Sequence, residues 1–79
     1  MGVIKMILIK YRYLDVIYEN ILKKAEDYKY TKLSEYVTLT TRIIKIKLEN
    51  KELNDTIIIT IHRDLETNNI KELNIKGRL

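Results

Sequence analysis

Seventy-nine residues, with no cysteine, proline, tryptophan or phenylalanine, leave room for one domain, residues 1–79. They exclude a disulfide framework and a thiolate zinc site. Lysine and arginine exceed aspartate and glutamate by four, 15 against 11, and the pI is near 9.3. That bias suits a solvated surface as well as a polyanion-binding one. A domain this small buries only about 60% of its unfolded surface, which makes oligomerisation an expected source of further burial.

The first apolar run, Val3 to Ile9, is too short to span a bilayer, which needs about 20 apolar residues. It also lacks the plan of a signal peptide. No membrane association and a cytoplasmic location are the expectations. The run reads as a strand continuing through Tyr11 and Tyr13, apolar on both faces at first, so it needs a second cover. A partner subunit is one candidate for that cover.

From Leu14 the hydrophobic period changes from two to 3.6. Leu14, Ile17, Tyr18, Ile21, Leu22, Ala25 and Tyr28 form one helical stripe, with Asp15 able to cap the N-terminus. The stripe predicts a helix ending near Tyr30, because Lys32 falls where an apolar residue is required. Thr31–Tyr36 is expected to add a short turn.

The stretch Arg42 to Arg63 reads as an antiparallel hairpin. Matching the two isoleucine-rich faces sets Leu48 opposite Ile57, Ile46 opposite Ile59 and Ile44 opposite Ile61, since a one-residue slip would put one face in water. Lys51–Asn54 then forms a four-residue loop. A last strand, Ile70–Arg78, follows a turn through Thr67, Asn68 and Asn69, with asparagine in the left-handed position. A three-residue loop there would set Ile75 opposite Ile61 and Gly77 opposite Ile59, where a glycine marks a bulge or a close approach by the helix.

The predicted fold is α+β, in the order β-α-β-β-β: one amphipathic helix on a mostly antiparallel four-stranded sheet. Strand one runs parallel to the first hairpin strand if the helix is the sole crossover, and antiparallel if the Thr31–Tyr36 turn reverses the chain.

Carried into the last strand, these registers place Lys45 beside Thr60 and Lys76, and Lys47 beside Ile58 and Arg78, on the outward face. Lys45, Lys47, Thr60, Lys76 and Arg78 are therefore the candidate binding face, able to contact phosphates without reading sequence. No tyrosine is expected there for base stacking. Tyr11, Tyr13, Tyr30 and Tyr36 are the candidate interface with a protein partner or a second copy of the chain. His62 is a surface residue on this reading, because Ser34, the only serine, lies far away and no nucleophile surrounds it. No catalytic residue, cofactor site or metal-ligand spacing is found. The expectation is a small non-enzymatic binding protein of accessory, regulatory or inhibitor type. The alternative is a nucleic-acid-binding module using the basic face.

Overall fold

The computed structural model describes residues 5–9, as backbone, and residues 13–77. Strand β1 (Lys5–Ile9) is followed by helix α1 (Leu14–Lys24) and four further strands: β2 (Lys29–Val37), β3 (Thr41–Asn50), β4 (Asp55–Asp64) and β5 (Ile70–Gly77). The sheet order is β1-β5-β4-β3-β2, and every neighbouring pair is antiparallel.

The α+β class, with one helix on an antiparallel sheet, stands as predicted. The four expected strands lie side by side as β1-β5-β4-β3. Beyond them β2 adds an outer strand where the sequence suggests only a turn. That strand reverses the chain, so β1 runs antiparallel to β5 at one edge while β2 occupies the other edge.

The helical stripe is real. Leu14, Ile21 and Ala25 are buried, and Ile17, Tyr18, Leu22 and Tyr28 pack against the same core. The sheet contributes Ile46 and Leu48 from β3, Ile57, Ile59 and Ile61 from β4, and Ile70, Leu73 and Ile75 from β5. An eleven-residue helix is marginal alone. Burial of that stripe on the sheet is what holds it.

The helix ends at Lys24, short of Tyr30. Lys23 and Lys24 complement its C-terminal dipole, whereas Glu26 and Asp27 would oppose it. Tyr28 is fixed instead through its hydroxyl, which donates to Asp55 Oδ2 at 2.6 Å. Asp15 does not cap the helix. Tyr13 is the N-cap and makes no side-chain capping bond. The Asp15 carboxylate reaches across to accept from Arg63 Nη1 and from the Ile70 N–H, both at 3.1 Å.

The β3–β4 register is the predicted one at all three isoleucine-rich pairs. Asn54 closes the loop with a left-handed backbone at φ 52°. The β4–β5 register differs by two residues: Ile75 lies opposite Ile59, Leu73 opposite Ile61, and Gly77 opposite Ile57. The cause is a longer connection. The register shifts between His62 and Arg63, the closing pair is Arg63 with Ile70, and Asp64 folds the turn by accepting from the Thr67 N–H at 3.0 Å. Asn68 is left-handed there, φ 63°, as expected. A two-residue displacement preserves which face each side chain occupies, so the core is as predicted although the pairings are not. The close approach at Gly77 is made by the β4 backbone at Thr56 rather than by the helix.

Candidate interaction surfaces

The sheet face away from the helix carries the predicted cations in altered rows. Lys45 lies beside Thr60, which now pairs with Asn74. Lys47 lies beside Ile58, which pairs with Lys76. Lys45, Lys47 and Lys76 thus share this face, while Arg78 is outside the described residues. Lys45 and Lys76 are exposed. Lys47 Nζ is 3.9 Å from Glu49 Oε1, which offsets part of its charge. The next row is Ile43, His62 and Glu72, with His62 Nε2 3.8 Å from Glu72 Oε2.

A tyrosine does reach this face, contrary to the expectation. Tyr36 on β2 lies opposite Ile43 and is 56% exposed. The correction follows directly from the existence of β2. Tyr30, also on β2, lies opposite Leu48 on the helix-bearing face and is exposed. Tyr13 is exposed at the start of the helix, and Tyr11 is outside the described residues. The candidate tyrosines therefore do not form one patch. Two of them mark the two faces of the same edge strand.

That strand is the more distinctive surface. Every residue of β2 is exposed except the half-buried Thr31, and among the described residues its second edge has no neighbour in the sheet. Lys32 lies opposite Ile46, Ser34 opposite Lys45 and Glu35 opposite Ile44, so Leu33 is an extra residue, a β-bulge. Residues three apart in a regular strand point to opposite faces. The bulge instead puts Lys32 and Glu35 on one face, with Lys32 Nζ donating to Glu35 Oε1 at 2.7 Å. Arg42 Nε lies 3.7 Å from the other Glu35 oxygen. The hydrogen bond from Lys32, and then its charge, hold the Glu35 carboxyl below the usual range. The same contact holds Lys32 above its ordinary value.

Sequence reasoning missed β2 because neither of its faces is buried, so no apolar stripe marks it, and the bulge breaks the alternation midway. The available signal was composition: Tyr30, Thr31, Tyr36 and Val37 are all favourable strand residues.

At one end of the sheet the β2–β3 and β4–β5 turns meet, with the Leu65 N–H donating to the Thr40 carbonyl at 3.0 Å. Leu39 and Leu65 flank an open hollow of about 360 Å³ there, and Leu39 is almost wholly exposed. Among the described residues no group of three or more His, Asp or Glu could hold a metal ion. No described helix is long and apolar enough to cross a membrane. No family model, no curated protein and no solved structure matches this chain.

Proposed function

We propose that this chain is a small non-enzymatic binding protein, of accessory, regulatory or inhibitor type, whose contact surface is the free edge of β2. One observation carries the reading: a nine-residue strand, exposed nearly throughout, ends the sheet with one backbone edge open among the described residues. Such an edge offers a row of N–H and C=O groups for strand addition. Tyr30, Tyr36 and Val37 flank it with side chains that suit a protein partner.

The test is affinity capture from the source cell with the wild type, an edge variant and a face variant. Tyr36→Lys with Val37→Lys adds charge to the edge at two exposed positions. Lys45→Glu with Lys76→Glu alters only the uncovered face. Loss of the captured protein in the first variant and retention in the second supports the edge. The reverse pattern overturns it.

The second reading is phosphate-backbone binding by Lys45, Lys47 and Lys76. The observation favouring it is that all three stand on the uncovered face, with Tyr36 at its border. Retention on duplex DNA that falls steeply with salt and disappears in the Lys45→Glu, Lys76→Glu variant would support it. Absence of binding at about 50 mM salt would remove it.

A further inference from the structure

We infer that the partner of the β2 edge is β2 of a second copy of this chain, paired antiparallel about a two-fold axis between Leu33 and Ser34. The inference rests on the edge reading and names its occupant.

The β2 register carries it. Tyr30, Lys32, Glu35 and Val37 lie opposite Leu48, Ile46, Ile44 and Arg42 on the helix-bearing face. Thr31, Ser34 and Tyr36 lie opposite Lys47, Lys45 and Ile43 on the other. Counted outward from the Leu33–Ser34 bond, Lys32 matches Glu35, Thr31 matches Tyr36, and Tyr30 matches Val37. Each match joins residues of the same face. In a regular strand these odd separations would join opposite faces, and pairing about that point would be forbidden. A bulge usually protects an edge from pairing. Here it makes the face pattern symmetric about its own centre.

The chemistry of the matches is complementary. A two-fold axis perpendicular to the sheet sets each Lys32 opposite Glu35 of the other copy. The two Lys32–Glu35 pairs already formed within the chains would then become one alternating group of four charges. Tyr30 meets Val37 twice, an aromatic–β-branched cross-strand pair. The interface is isologous. It joins two sheets into one of ten strands, with both helices on the same side.

Charge reversal tests occupant and register together. Lys32→Glu alone sets glutamate against Glu35 twice, and Glu35→Lys alone sets lysine against Lys32 twice. Each variant should raise the dissociation constant of the pair about tenfold or more. The two variants mixed in equal amounts are complementary at both positions and should form a one-to-one heterodimer in sedimentation equilibrium. Both side chains are substantially exposed, and far-ultraviolet circular dichroism checks that each variant is folded. A wild type that stays monomeric up to about 1 mM would overturn the inference. So would single variants that associate as the wild type does. A monomeric wild type whose captured protein is still lost in the Tyr36→Lys, Val37→Lys variant would overturn self-pairing while leaving the edge reading in place.

Discussion

Asp15 and Arg63, 48 residues apart, form the clamp that fixes the start of the helix to the sheet. Arg63 Nη1 donates to Asp15 Oδ1 at 3.1 Å and to the Asn68 carbonyl at 2.8 Å, while Asp15 Oδ2 accepts the Ile70 N–H. One carboxylate thereby holds the first helical turn against both ends of the β4–β5 connection. The Arg63 guanidinium also stands 6.0 Å from the centre of the Tyr18 ring. Hydrogen bonds to charged groups contribute about 1.5–3 kcal/mol, less where water screens them. Asp15→Ala should therefore cost about 1–3 kcal/mol. Thermal unfolding of the single variants and of Asp15→Ala with Arg63→Met should show coupling of about 0.5 kcal/mol or more.

Gly77 should resist substitution although it lies near the end of β5. Its φ is +131°, and a Cβ there would stand 2.5 Å from the Thr56 carbonyl oxygen and 3.0 Å from Ile57 Cα. Both obstacles are backbone and cannot rotate away. Gly77→Ala should destabilise by about 1–3 kcal/mol, read as a lower denaturation midpoint with an unchanged slope.

The two faces of β4 should differ sharply. Ile59 is wholly buried in the core that the helix and sheet share, while Ile58 points to the sheet face away from the helix and is half-buried. Ile59→Ala should cost about 2–5 kcal/mol. That is a large share of the roughly 4–12 kcal/mol expected for a chain of this length. Ile58→Thr should cost about 1 kcal/mol or less. Urea denaturation of both variants is the measurement.

The β4–β5 turn should carry a signed pH dependence. The Asp64 carboxyl is held below the ordinary aspartate range, first by the backbone hydrogen bond from Thr67, which its own burial partly opposes. Its folded value lies below its unfolded value, so the unfolded chain binds more protons in the window between them, and stability rises with pH there. The contribution is present above the unfolded aspartate value and is lost as pH falls through the folded one. Asp64→Asn should flatten this part of the stability profile and lower the plateau above it, without changing the slope on the alkaline side. Unfolding midpoints measured across the acid range check it.

Much of the fold was legible because burial forces a period. Ile44, Ile46 and Leu48 must share a face with Ile61, Ile59 and Ile57, which rules out a one-residue slip, and the pairing that matches the two runs end to end is what the structure has. Where burial is not at stake, the pattern of residues leaves the register open. The β4–β5 register could move by two residues without exposing Leu73 or Ile75, so the core was right while the neighbours of Lys76 were not. Asp15 resembled a cap because aspartate before a helix usually is one. Its actual partners, Arg63 and Ile70, are brought to it only by tertiary structure. The β2 strand left no periodic trace, and with it went the strand context of Tyr30 and Tyr36.

Amide hydrogen exchange of the full chain, followed residue by residue at micromolar and then millimolar concentration, tests the self-complementary β2 edge most directly. Pairing of two copies predicts that protection rises with concentration within Lys29–Val37, while Lys45, Thr60 and Lys76 are unchanged. Exchange at β2 that does not depend on concentration, or new protection confined to the uncovered face, would contradict it.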